Sequence, residues 1–218
     1  MDNLSLVIIE IISAALAFVL VRFMIKPYRM TGEARYLGLP LGFAFLGMSY
    51  IFMGTSLFFS DYLNVERMQW LQLFIEAYAF IFLAMTYYFS AKKHERKKDL
   101  LIQVLVSLIF LMLIISLTVV FIPPPFTLPN YKIVDEHFRI FNMSIAIYVT
   151  LYTLRRHVRK PDSKTMLAPL GYALLAFSQY SFLIWSLDST FSAFVGAHII
   201  RVAGLLVFLF ISYKTYFS

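Results

Sequence analysis

Gly38-Leu39-Pro40-Leu41-Gly42-Phe43-Ala44-Phe45-Leu46-Gly47-Met48-Ser49 begins a run that reaches Phe59 without one charged side chain. A helix that crosses the hydrocarbon layer, roughly 30 Å thick, needs about 20 mostly apolar residues, because every backbone N–H and C=O in lipid has to be paired within the helix. Six further stretches of this kind take up most of the chain: Leu4 to Met24, Trp70 to Phe89, Leu100 to Phe121, Phe138 to Leu154, Leu167 to Leu187 and Phe194 to Tyr213. The one that starts at Phe138 is the shortest. Composition agrees, with 61% hydrophobic and 14% charged residues, where an average soluble domain carries about 25% charge. The expected fold is an all-α membrane protein, a single domain over residues 1–218 with seven transmembrane helices.

The first stretch carries Glu10 and has neither a basic segment before it nor a small-residue cleavage site after it, so it reads as a retained helix and not a signal peptide. The chain has no cysteine, which removes thiolate catalysis, thiolate metal sites and disulfide exchange. Lysine and arginine gather in alternate loops. Arg22, Lys26, Arg29 and Arg35 surround the first loop, Lys92, Lys93, Arg96, Lys97 and Lys98 the third, and Arg155, Arg156, Arg159, Lys160 and Lys164 the fifth, with Lys214 at the end of the last helix. The intervening loops hold Asp61, Glu66, Asp135, Glu136 and Asp188, with Arg67 and Lys132 as their basic residues. Basic loops stay on the cytoplasmic side, so the expected topology is N-terminus outside and C-terminus inside, in the plasma membrane. The run from Lys92 to Lys98 then faces lipid headgroups and is not a nucleic-acid site.

The run quoted first has an echo. Pro169-Leu170-Gly171-Tyr172-Ala173-Leu174-Leu175-Ala176-Phe177-Ser178 matches Pro40 to Ser49 at six of ten positions. The same register aligns Lys26 with Arg155 and Arg35 with Lys164, and sets Glu10 against Arg139. Extended to the third and seventh stretches, it requires the second copy to be about one helical turn shorter. Halves 1–90 and 135–218, joined by a linking helix over 100–121, would form a three-plus-one-plus-three repeat about an axis along the membrane normal. A proline in the first turn of a helix loses no hydrogen bond, so shared helix-start chemistry is the alternative reading of the Pro-Leu-Gly match.

This plan resembles the SWEET and PQ-loop sugar carriers and the microbial rhodopsins, in topology alone. No Pro-Gln pair occurs, and the retinal pigments would imply a lysine in the middle of the seventh helix, where the only lysine is Lys214 at its end. The stretch Ala197-His198-Ile199-Ile200-Arg201-Val202-Ala203-Gly204 resembles the last helix of the membrane sensor domains that precede prokaryotic histidine kinases. That resemblance implies a prokaryotic signalling module; those proteins continue into a cytoplasmic signalling domain where this sequence stops at Ser218, so the expectation is a separate output protein or a free-standing relative.

Charged side chains within spanning helices cost about 2.5–3.5 kcal/mol each on insertion scales, so they face the bundle interior and carry function or structure. Four qualify: Glu10, Glu76, Arg139 and Arg201. At 1.5 Å per residue all lie in the outer half. Gln72 shares a helix face with Glu76, and His198 shares one with Arg201; Tyr50, Asn142 and Gln179 add polarity at the same level. The natural ion pairs are Glu10 with Arg139 and Glu76 with Arg201. These nine residues form the candidate ligand-binding set. Arg201 suits a carboxylate, and His198 suits a proton. The alternative is that the charges pair only to set helix register. The linking helix has few polar residues and is expected at the periphery, and Pro123-Pro124-Pro125 with Pro129 makes the outer loop after it a stiff lid or a plain spacer.

No metal-ligand spacing, phosphate loop or catalytic motif is present, so neither an enzyme nor a cofactor is expected. The leading expectation is a sensor or receptor-like module with an outward polar pocket, contacting membrane lipids, a small-molecule ligand from the outer side and a cytoplasmic or membrane signalling partner. Alternatives are a small-solute or proton-coupled transporter and a non-catalytic accessory subunit. Polar residues confined to one half favour sensing over transport.

Overall fold

The computed structural model describes residues 3–33, 36–59, 65–90, 96–122, 130–159, 161 and 166–217. They are all helical or connecting. Seven long helices are α1 (Asn3–Met24), α3 (Gly38–Phe58), α4 (Val65–Ser90), α5 (Arg96–Phe121), α6 (Tyr131–Arg159), α7 (Ala168–Asp188) and α8 (Phe191–Phe217), with one short turn, α2 (Lys26–Thr31), after α1. Gly32 ends α2 at φ 69°, a left-handed conformation that glycine adopts without cost, and donates its N–H to the Tyr28 carbonyl. The proline loop, Asp61, Arg35, Lys92, Lys93, Lys160 and Lys164 lie outside the described residues.

Six helices are long and apolar enough to cross a membrane: α1, α3, α4, α5, α7 and α8. The helix expected to be shortest, α6, is instead the longest at 29 residues. Hydropathy registers only its apolar middle, whereas Lys132, Asp135 and Glu136 at one end and Arg155, Arg156 and His157 at the other continue the same helix. Its buried stripe is Asp135, Arg139, Asn142, Ala146, Val149 and Thr153, a four-three alternation that keeps one face toward the bundle.

The helices close a ring in the order α1, α3, α4, α6, α7, α8 and back to α1. Packing is closest within the triplets α1–α3–α4 and α6–α7–α8 and looser at the two junctions, α4 with α6 and α8 with α1. Helix α5 stands outside the ring against α4, with Phe110 reaching Phe45 of α3, as its sparse polarity suggested. Two glycines set the spacing within the triplets. A Cβ on Gly42 would lie 2.7 Å from Leu83 on α4, and one on Gly171 would lie 2.7 Å from Phe208 on α8. Small residues let helices approach where lipid supplies no hydrophobic drive between them.

Polarity is inverted relative to a soluble protein. Ile8, Ile11, Leu108, Leu111, Ile114 and Leu151 are exposed, while Glu10, Glu76, Arg139 and Arg201 are buried. Charge inside and large aliphatics outside suit an apolar solvent. The chain is a multi-pass, membrane-embedded helical bundle.

Candidate functional site

All nine residues expected to form the site are buried, none more than 5% exposed. They lie in the half of the bundle nearest the chain's N-terminus, because Glu10, Glu76, Arg139 and Arg201 follow the starts of α1, α4, α6 and α8, and Tyr50 and Gln179 precede the ends of the antiparallel α3 and α7.

The first cluster spans the α4–α6 junction. Arg139 Nη1 donates to Glu76 Oε2 at 2.9 Å and to Gln179 Oε1 at 3.3 Å, and Nε donates to Asp135 Oδ1 at 3.1 Å. Gln179 Nε2 donates in turn to Glu76 Oε1 at 2.8 Å. Both carboxylate oxygens of Glu76 are thereby satisfied, and the planar guanidinium fork holds acids on two of its edges.

The second cluster spans the α8–α1 junction. Arg201 Nη2 lies 2.8 Å from Glu10 Oε1 and donates to Ser13 Oγ at 3.4 Å. His198 Nε2 lies 3.0 Å from the same Glu10 oxygen, and its Nδ1 lies 2.8 Å from the Phe194 carbonyl. The Tyr50 ring sits 4.2 Å beneath the Arg201 guanidinium carbon, a cation–π contact in a desolvated setting. Phe182 joins the clusters, with the Arg139 and Arg201 guanidinium carbons 4.8 and 5.8 Å from its ring centre.

The expected pairing is corrected. Glu10 pairs with Arg201 and not Arg139; Glu76 pairs with Arg139 and not Arg201. Ring order is the reason: α1 lies against α8, and α4 lies against α6. Residues outside the expected set also take part. Asp135 reads from the sequence as a loop acid, yet it stands four residues before Arg139 on one helix, the spacing of a helical ion pair. Ser13 is likewise three residues after Glu10. Phe182 carries no polar signal by which sequence could have found it. Gln72 is buried on α4 one turn before Glu76; Tyr180, beside Gln179, is 49% exposed and faces away.

Not all the buried polar capacity is used. Asn142 lies fully buried one turn beyond Arg139 on the same α6 stripe, and neither its Nδ2 nor its Oδ1 has a partner. Glu10 Oε2 and Arg201 Nε are also unpartnered. Buried polar groups are nearly always hydrogen-bonded, each exception costing about 1–3 kcal/mol. Toward the opposite end the interior closes: Phe43, Tyr172 and Phe208 pack ring to ring, and the Tyr87 and Tyr172 hydroxyls hydrogen-bond at 2.7 Å.

The fold and this layer define a multi-pass membrane protein with a charge-paired polar interior. Comparison with protein-family models, curated proteins and solved structures yields no match to the chain.

Proposed function

We propose that the protein is a seven-helix sensor or receptor-like module of the plasma membrane, with its N-terminus outside, whose polar layer binds a small polar ligand and passes its state to a cytoplasmic or membrane signalling partner. The observation that carries this is the set of unpartnered, buried donors and acceptors beside the ion pairs: Asn142 Nδ2 and Oδ1, Glu10 Oε2 and Arg201 Nε. Such atoms offer a ligand both donors and acceptors in a low-dielectric site, where hydrogen bonds are strong. The distribution of Lys and Arg supports the orientation. In that frame the polar layer faces outward and the Phe43–Tyr172–Phe208 packing closes the cytoplasmic half, which favours sensing over passage. The likeness of Ala197 to Gly204 to sensor helices supports a signalling role. In this reading α6 is the seventh span, its Asp135 and Arg139 paired with each other and with Glu76 at the junction with α4.

A duplication is part of the proposal. The register that carries Pro40 onto Pro169 also carries Glu10 onto Arg139, Ser13 onto Asn142, Ser49 onto Ser178 and Tyr50 onto Gln179. Shortened by one turn, it carries Glu76 onto Arg201, Ala79 onto Gly204 and Leu83 onto Phe208. The contacts follow it: Gly42 meets Leu83 where Gly171 meets Phe208. Each junction then joins the third helix of one half to the first of the other through an acid and a base, with the signs exchanged. This arrangement also favours a second reading, transport by rocking of the halves about the junctions.

The test is thermal unfolding of the detergent-purified protein against amino acids, organic acids and polyamines, for the parent and Asn142→Leu. A ligand at one hundred times its dissociation constant adds about 2.7 kcal/mol of stability. Stabilisation of the parent and not of Asn142→Leu supports the reading. Equal response, or none from any compound, sets it aside in favour of a structural accessory subunit.

A further inference from the structure

His198 stands between two oxygen atoms. Its Nδ1 is 2.8 Å from the Phe194 carbonyl and its Nε2 is 3.0 Å from Glu10 Oε1, in a residue with no exposed surface. A carbonyl and a carboxylate are both acceptors, and a neutral imidazole has one N–H to give. With a neutral ring and an ionised Glu10, one of the two contacts would set lone pair against lone pair with no water to intervene. Two arrangements satisfy both contacts. In one, an imidazolium donates from both nitrogens; in the other, Nδ1–H donates to Phe194 while a protonated Glu10 donates into Nε2. Each holds one proton more than a neutral histidine and a carboxylate.

The charge count points the same way by an independent route. Among the described residues, the buried, mutually paired groups comprise three carboxylates, Glu10, Glu76 and Asp135, and two guanidiniums, Arg139 and Arg201. That leaves one negative charge in excess in a low-dielectric interior, where an uncompensated charge is expensive. One added proton makes the set neutral.

We propose that the Glu10–His198 pair is a proton-binding site that holds one proton in the folded protein, and that this proton clamps the α8–α1 junction. Among the described residues, the groups facing it are few. Helix α1 presents Glu10, with Ser13 on Arg201; α8 presents Arg201 and the Phe194 carbonyl; α7 presents the Phe182 ring, 5.0 Å from the imidazole. Tyr50 of α3 reaches the pair through Arg201, and Glu76, Asp135 and Arg139 stand beyond Phe182. Removing the proton leaves lone pairs facing each other at one of the two contacts, Nε2 against Glu10 across the junction or Nδ1 against the Phe194 carbonyl within α8, and restores the excess charge; both costs fall on the folded state. Because the folded state binds the extra proton, linkage requires stability to fall as pH rises through its release. The proposal stands apart from the ligand reading, since it uses neither Asn142 nor an unpartnered atom.

The experiment is ¹⁵N and ¹³C NMR of the full chain in lipid nanodiscs near neutral pH, with labelled histidine and glutamate and with His198 assigned from His198→Gln. An imidazolium facing a carboxylate is expected, or an Nδ1–H imidazole facing a protonated Glu10. A neutral imidazole beside an ionised Glu10 overturns the proposal. Glu10→Gln supplies the second arm. It leaves two carboxylates against two guanidiniums, already balanced, so no added proton is needed to neutralise the set. Between neutral and alkaline pH the parent is expected to lose thermal stability that this variant keeps; parallel profiles count against the clamp. Varying sodium at fixed pH separates a metal cation from the proton, and a sodium-dependent signal with no proton on the pair also refutes the proposal.

Discussion

Exchange of the ion-pair partners, relative to what the sequence suggests, is open to direct energetic measurement. Arg139 is 2.9 Å from Glu76 and 3.1 Å from Asp135, all three nearly without solvent contact. With charge centres about 4 Å apart, each attraction is about 4 kcal/mol at an effective dielectric of 20, before desolvation is subtracted. Replacing Arg139 by Met orphans two buried carboxylates, and breaking a buried pair in this way costs about 3–5 kcal/mol. Glu76→Gln is expected to be milder, about 1–2 kcal/mol, because Asp135 still neutralises the arginine and the amide can keep one hydrogen bond. In a double-mutant cycle, followed by unfolding in mixed micelles at fixed detergent fraction, contacting partners couple by about 0.5–3 kcal/mol and separated ones by less than about 0.5 kcal/mol. Glu76 with Arg139 and Glu10 with Arg201 should fall in the first range, Glu10 with Arg139 in the second. Coupling of Glu10 to Arg139 as strong as that of Glu76 to Arg139 would refute the ring order.

Gly171→Ala places a methyl group 2.7 Å from Phe208, which Phe43 and Tyr172 hold in place; overpacking should cost about 1–3 kcal/mol of unfolding free energy. Gly196→Ala on the same helix as Phe208 meets nothing within 4 Å and should be neutral or stabilising by up to about 1 kcal/mol in the same assay. Asn142→Leu removes two unpartnered polar atoms, so without ligand its melting temperature should equal or exceed that of the parent; a large loss would show that Asn142 is bonded within the fold. Tyr50→Leu keeps much of the packing and removes the ring under Arg201, with an expected loss of about 2 kcal/mol, whereas Tyr50→Phe should retain most of that contact.

Much of the architecture follows from one-dimensional information. Uncharged runs such as Gly38 to Phe59 have to be helices in lipid, because no other local structure pairs its own backbone. A charge inside such a run has to turn inward, so Glu10, Glu76, Arg139 and Arg201 were legible as buried. The sparse polarity of α5 likewise announced its place outside the ring. Hydropathy misjudged α6, since a helix that is charged at both ends and buried along one stripe has a low average whichever way it faces. Which acid meets which base was decided by ring closure, a global property: α1 touches α8, nearly the whole chain away, and no local spacing records that. The same holds for Phe182, an ordinary aromatic in sequence that becomes the wall between two arginines only when α6, α7 and α8 come together. Tertiary packing alone also put a carbonyl and a carboxylate on either side of the His198 ring, because the hydrogen-bond demand on an imidazole depends on the oxygens that surround it.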